Sequence, residues 1–479
     1  MILHKNGSLF LCWVMRLTFE FYWTCDYNEG VKIKGRFHMK NNHNFLKTVC
    51  KLAIPVAIQS MLQSSFGIID QIMIGQLGSV SISGVGFAGK FTSIFSVLIA
   101  AIAAVAGIMI SQYMGQKNQK EIRKSFYLNL FITLGISLFF TLGCVAFPKQ
   151  IMGLYTTDQA VIDEAAVYLR IVAGTFVPMA GATMLATMFR CMEKTQFPLI
   201  ATIASAVLNT GLNFILISKM GTRGAAIATL VSQAVNFLVM FVIIFKYSEY
   251  FKADKNQNNT STKFGCRQYL VILLPILISE LLWSLGENVY AGIYGHMGTE
   301  SSTAMTLINP IQGLMIGALC GLSQAASVII GKKLGNKEFD EAYTASKKLI
   351  YYGLMGSLLL SVVIVLTSSF YIQIYDVEDS VKLMTQQILF AYAMVAPFKV
   401  LNMIIGGGII RSGGKTSYVM VIDIIGTWGF GVPLGLIGAF VFDLPIAWVY
   451  FILSLEECVR FGISMVVLKR RKWMQRIGE

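Results

Sequence analysis

From about residue 53 the chain alternates long apolar runs with short polar or glycine-containing breaks. Ser93–Ile110, Leu354–Phe370 and Val400–Ile410 carry no charge at all. One membrane-spanning helix needs about 20 apolar residues. The breaks predict twelve such helices, over 53–74, 85–110, 126–147, 165–189, 197–218, 224–246, 269–294, 305–330, 349–370, 384–409, 417–441 and 444–467. The expected fold class is therefore all-α and integral to the membrane.

The pattern repeats. Displaced by 220 residues, Pro55 falls on Pro275, Gly75 on Gly295, Gly78 on Gly298, Gly115 on Gly335, Lys117 on Lys337 and Tyr155 on Tyr375. After a one-residue slip Arg190, Lys194 and Thr195 fall on Arg411, Lys415 and Thr416. The twelve helices thus divide into two pseudo-symmetric six-helix bundles. Six is even, so both bundles have the same orientation. Parallel repeats are a transporter architecture with the site between them. The expected segments are an N-terminal tail 1–44, a first bundle 45–246, a linker 247–268, a second bundle 269–468 and a basic tail 469–479. The first 38 residues make a poor signal peptide, because Arg16 and Glu20 interrupt their apolar run. Met39 is the expected natural start.

Charge fixes the orientation. The net charge is +14, which in a soluble chain would suggest nucleic acid. Here 31 of the 39 Lys and Arg lie in the two tails and the even-numbered connections, and only Lys149, Lys219, Arg223 and Lys382 lie in the odd ones. Basic loops stay inside. Both termini are therefore expected in the cytoplasm, the lipid bilayer is the partner, and nucleic acid is not. Only 13% of residues are charged, about half the share of a soluble domain. The eight cysteines include no Cys-x-x-Cys pair, so neither a disulfide framework nor a zinc site is indicated.

Nucleotide motifs fail on context. Gly84-Val-Gly86-Phe-Ala-Gly89 lies inside an apolar span, not at a strand-to-helix turn. Phe91 stands where a P-loop needs Ser or Thr, and Ile409 where Gly414-Lys415-Thr416 would need its first glycine. No nucleotide and no cofactor is expected. The sequon Asn258-Asn-Thr260 falls in the cytoplasmic linker, where it would stay unmodified.

Ionisable groups within spans are costly and mark function. Gln59, Gln63 and Asp70 follow the spacing i, i+4, i+11 and share one face of the first span. Asp70 lies 19 residues past Lys51, about 28 Å along the axis and towards the outer side. The stripe faces a cavity, or Asp70 caps the helix end. Glu280, Ser284 and Glu287 share a face of the seventh span, with Glu280 about 20 Å past Arg267. Glu280 is expected to hold a proton, a sodium ion or a cationic drug, or else to pair with Lys399. Asp423 is the other candidate partner for Lys399. Asn209 and Asn213, one turn apart, either coordinate an ion or bridge helices. Glu456 and Arg460 are expected to pair as i, i+4 neighbours beside Glu457. Gly313, Gly317 and Gly321 form a stripe for tight packing.

From about residue 44 onward the chain resembles the multidrug and toxic compound extrusion (MATE) transporters, in particular a bacterial branch common in Firmicutes. The likeness rests on Pro55…Asp70-Gln-Ile-Met-Ile-Gly75-Gln-Leu-Gly78, Leu208-Asn209…Leu212-Asn213, Gly224-Ala-Ala-Ile-Ala-Thr229 and Pro275…Glu280-Leu-Leu-Trp283-Ser-Leu-Gly286. Pro397-Phe-Lys399 and Arg411-Ser-Gly-Gly414 complete it. The resemblance implies a V-shaped pair of bundles whose mouth opens alternately to each side. It implies a cation-coupled (Na+ or H+) antiporter that exports amphipathic, often cationic compounds from the cell, acting as a monomer and not as an enzyme. It places Asp70 at the buried acid of the family's first helix and Glu280 near the acid of its second bundle, so a sodium ion is expected near one or the other. Several members carry an acid in the tenth helix; here Asp423 of the eleventh is the substitute. The competing readings are a flippase for a lipid-linked sugar, which calls for a more cationic cleft, and an integral membrane enzyme, which calls for a His/Asp or Cys/His constellation.

Overall fold

The computed structural model describes residues 38–247, 265–375 and 377–478. The segment 1–37 and most of the expected linker, with its sequon, lie outside the described residues. The chain divides into two compact units at Cys50–Lys51, and the larger one, Lys51–Glu479, carries everything below.

Among the described residues twelve long helical elements follow one another, with a short helix, Pro148–Met152, between the third and fourth. The first six are α1 (His38–Gly75), α2 (Ser79–Gly115), α3 (Gln119–Ala146), α4 (Gln159–Cys191), α5 (Gln196–Met220) and α6 (Thr222–Phe245). The second six are α7 (Cys266–His296), α8 (Thr299–Gly335), α9 (Phe339–Gln373), α10 (Asp379–Ile410), α11 (Thr416–Val441) and α12 (Ile446–Ser454 and Glu456–Lys469). Among the described residues eleven are long and apolar enough to cross a membrane, and no strand occurs. The twelfth predicted span is present as two shorter pieces, broken at Leu455. Several helices outrun their predicted spans. α8 starts six residues earlier and ends five later than its apolar window, because a helix stops at its backbone signal and not where hydropathy falls.

Those signals obey the repeat. Gly78 and Gly298, which open α2 and α8, hold φ of 97° and 112°. A side chain there would be strained, which is why glycine stands at both. Lys117 and Lys337, just after the same two helices, both turn left-handed, at φ 55° and 64°. Asn118 then caps α3 by accepting from the Glu121 backbone N–H at 3.2 Å.

Lipid offers no hydrophobic drive between helices, so they associate through small residues and interhelical hydrogen bonds. α2 and α8 pack against each other across the two bundles. A Cβ on Gly115 would strike the Lys332 carbonyl, and one on Gly335 the Gln112 carbonyl. Lys332 is Gln112 displaced by the repeat, so these two approaches are a single contact seen from each bundle. Gly331 likewise abuts the Ser111 hydroxyl, and Gly321 abuts the Ala53 carbonyl of α1. In the stripe, Gly317 touches Met61 while Gly313 meets open space, so only its lower part packs tightly.

All of these approaches except that of Gly317 lie towards the end that carries the basic connections. At that end Lys332 Nζ also meets Glu193 Oε1 at 2.6 Å, and the Tyr269 hydroxyl donates to Asn129 Oδ1 at 2.9 Å. The two bundles are thus closed together at their basic end. Elsewhere the surface is greasy: Phe131, Phe139 and Leu366 are each more than two-thirds exposed, as lipid contact requires. Among the described cysteines none is bridged; Cys144 and Cys191 are buried and Cys266 is exposed.

Candidate functional site

Polar side chains within the spans gather at two places, one in each bundle. In the first, α1 brings half-buried Asp70 against α5. Asn213 Nδ2 donates to Asp70 Oδ1 at 2.6 Å. The Asn209 amide group faces the same carboxylate, donating at 2.9 and 3.2 Å to its two oxygens. The one-turn spacing of the two asparagines supplies this pair of donors on one face of α5. Buried Asn213 Oδ1 has no hydrogen-bond partner among the described residues. A carboxylate within a span is thus held by two amide donors and, among the described residues, no base, an arrangement that can exchange a proton or a cation.

The rest of the predicted stripe has a different use. Gln59 Nε2 donates to Thr202 Oγ1 at 3.0 Å, tying α1 to α5 nearer the basic end. Gln63 is exposed and forms no hydrogen bond among the described residues. Above Asp70, Tyr168 packs with Ile74, Ile217 and Ala225. Glu164, one turn before it, accepts from the Thr222 hydroxyl. The sequence reading passed over Glu164 because it falls one residue before the predicted fourth span, in a connection.

The second cluster is larger and rewrites the expected pairings. Glu280 was expected without a base of its own or paired with Lys399; instead Arg411 Nη1 reaches its Oε1 at 3.0 Å. Asp423 is not the partner of Lys399 either: Arg460 and the Ser279 hydroxyl both bond it. Arg460 turns away from Glu456 to Asp423 and to Glu457, the latter at 3.5 Å. Glu456 instead accepts from the Tyr290 hydroxyl at 2.7 Å. Asn402 donates to Glu457 Oε2 at 2.8 Å. The expected i, i+4 pair lost because Asp423 on α11 and Glu457, three residues back on its own helix, together hold Arg460.

Lys399 is left without an ion pair within 4.0 Å among the described residues. It stands on the wall between two cavities. One, of about 180 Å³, is lined by Glu287, Tyr290, Asn309, Tyr450, Glu456 and Glu457. The other, of about 230 Å³, is lined by Glu280, Trp283, Arg411, Asp423 and Arg460. Among the described residues five carboxylates thus face three bases, and Glu287 is exposed to its cavity without a partner.

The backbone makes room for this cluster. α10 ends in a π-helical stretch, Met403–Ile410, and α11 holds another, Ile424–Gly431. Widened turns of this kind recur at functional sites. Gly426 lets Arg460 lie against α11, and Gly431 leaves space for the Tyr290 hydroxyl and the Glu456 carboxylate. No apolar periodicity signals a widened turn, so sequence reasoning read α10 and α11 as plain spans.

Glu280→Gln leaves Arg411 without its counter-charge in a partly exposed place. The expected result is a stability loss of about 1–3 kcal/mol by thermal melting, with the ion dependence of transport unchanged. Altered ion dependence would return Glu280 to the coupling machinery.

Among the described residues no group of three or more His, Cys, Asp or Glu is placed to hold a metal. Twelve helices in two matched bundles, with buried acids in each, define a membrane transporter rather than an enzyme. The MatE family model matches residues 55–215 and 275–437, and its two segments start at the repeated prolines Pro55 and Pro275. The chain belongs to this family of multidrug efflux transporters, whose members need no cofactor.

It is similar to the uncharacterized transporter YisQ of Bacillus subtilis, at 26% identity over 89% of this chain and 93% of that one. A probable multidrug resistance protein NorM of Thermotoga maritima is 22% identical over 90% and 93%. Among solved structures, a mutant of the Vibrio cholerae MATE transporter VcmN matches with a TM-score of 0.82 at 17% identity, covering 91% of this chain and 99% of that one. This last likeness shows the shared fold.

Proposed function

We propose that the protein is a cation-coupled antiporter of the cell membrane, working as a monomer and exporting amphipathic, often cationic compounds by alternating access. The observation that carries this reading is Asp70, half-buried within a span and held by the amides of Asn209 and Asn213 with no base beside it among the described residues. A proton or sodium ion arriving there cancels the charge that the two amides stabilise. That alters the contact between α1 and α5, and a ligand shifts a conformational balance only through such differential contacts.

The cytoplasm lies at the basic end in this reading, with both chain termini there. Closure of that end then makes the described state the one open to the outside, where the cation enters. The second cluster contributes an acidic, tyrosine-lined cavity around Glu287 and Glu456 that suits an organic cation. Its acids outnumber its bases, the opposite of the cationic cleft that a flippase for an anionic lipid needs.

The test is dye efflux from proteoliposomes with sodium and proton gradients imposed separately. One inward gradient is expected to accelerate efflux at least tenfold over protein-free vesicles. Efflux that neither gradient accelerates over protein-free vesicles would overturn antiport.

A further inference from the structure

The repeat sets up an expectation at the basic end, and one side does not meet it directly. In the second bundle Lys332, near the end of α8, bonds Glu193 in the connection between α4 and α5. The matching residue near the end of α2 is Gln112, and the matching connection, between α10 and α11, has Gly414 where Glu193 stands. No ion pair is available on that side.

The chain's own C-terminal segment fills the gap. Beyond α12, residues 470–478 turn back and lie beside the contact between Gln112 and the α10–α11 connection. Gln112 Nε2 donates to the Ser412 carbonyl at 2.7 Å and to the Gln475 carbonyl at 3.1 Å. Its Oε1 accepts from the Ile477 backbone N–H at 2.7 Å. Gln116 Nε2 adds a bond to the Ile477 carbonyl at 3.3 Å. Gln112 is wholly buried and both ends of its amide are satisfied across the two bundles.

The segment is anchored on the second bundle. Trp473 is 0% exposed and donates to the Leu468 carbonyl at 3.2 Å. Gly413 is small enough to sit on the Trp473 carbonyl. Arg471 bonds Asp340 at 3.0 Å and lies over the Tyr343 ring at 4.1 Å. On the first bundle it is held by the hydrogen bonds of Gln112 and Gln116. That asymmetry decides what gives way: when the bundles part, the segment stays with the second and Gln112 lets go.

We propose that residues 470–478 form a strap that latches the basic end shut through Gln112, and that its release from Gln112 is part of opening that end. The strap stands in for the ion pair that the first half of the repeat lacks. The proposal rests on the alternating-access reading.

The test measures distance between spin labels at Lys120→Cys and Thr344→Cys, on opposite bundles at the basic end, with the native cysteines replaced. Deleting residues 471–479 is expected to raise the fraction of molecules with the basic ends apart at least threefold. Gln112→Met, which keeps the tail and the side-chain volume but removes its three bonds, is expected to do the same and guards against a deletion that fails to fold. If the native chain opens on a change of pH or sodium but the folded deletion variant matches it throughout, the strap is refuted and alternating access stands, even where Gln112→Met opens, because that variant also loses the direct bond to Ser412. If no chain opens under any condition, both fail.

Discussion

Asp70→Asn is expected to bring gradient-driven efflux down to the rate of protein-free vesicles. The replacement has the shape of the native side chain but no charge to lose on cation binding. One acceptor oxygen remains for Asn209 or Asn213, and the other donor is left facing an NH2 group. That mismatch costs about 1–3 kcal/mol, so the protein should still insert, purify and melt as a single species. The diagnostic pattern is therefore a folded protein that binds dye and does not respond to either gradient. Efflux that responds normally to an imposed gradient would remove Asp70 from the coupling step. Asp70→Glu keeps the charge but displaces it by one methylene from amides already at 2.6 and 2.9 Å, and should retain partial coupling.

Arg460→Met has the largest expected effect on stability. Arg460 and Asp423 are each 12% exposed and Glu457 is 6% exposed. Removing the guanidinium takes from two buried carboxylates the base that bonds both. Breaking one side of a buried pair costs about 3–5 kcal/mol, and a lower melting temperature and poor expression should report it. The companion variant decides the cause. In Arg460→Met with Asp423→Asn one of those two charges is gone too, and most of the lost stability should return. No recovery in the double variant would mean that Arg460 acts through packing on Gly426 and not through its charge.

These two residues mark how far the sequence could be read. Asp70 was legible as a position because an acid inside an apolar span stands out residue by residue, although Gln59 and Gln63 of its stripe went elsewhere. The pairing of Asn209 with Asn213 on α5 was legible from their one-turn spacing. That both point at Asp70 was not, since it needs the relative placement of helices 143 residues apart. Arg460 shows the opposite case. Its local partner at i−4 was the obvious expectation, and the fold gave it Asp423, 37 residues away, together with Glu457. The alternative pairing of Glu280 with Lys399 failed likewise, because Arg411 arrives from 131 residues away.

The sequence by itself determined the twelve hydrophobic helices, their division into two like-oriented bundles, and the glycines that shape their ends. Those follow from the transfer of backbone and side chains into lipid and from backbone sterics, which act residue by residue. Only the tertiary structure decided which charges meet, where turns widen to make room for them, and that the C-terminal segment lies under Gln112. Each of these depends on distances between helices, and buried charges select partners by the geometry of close approach rather than by position along the chain.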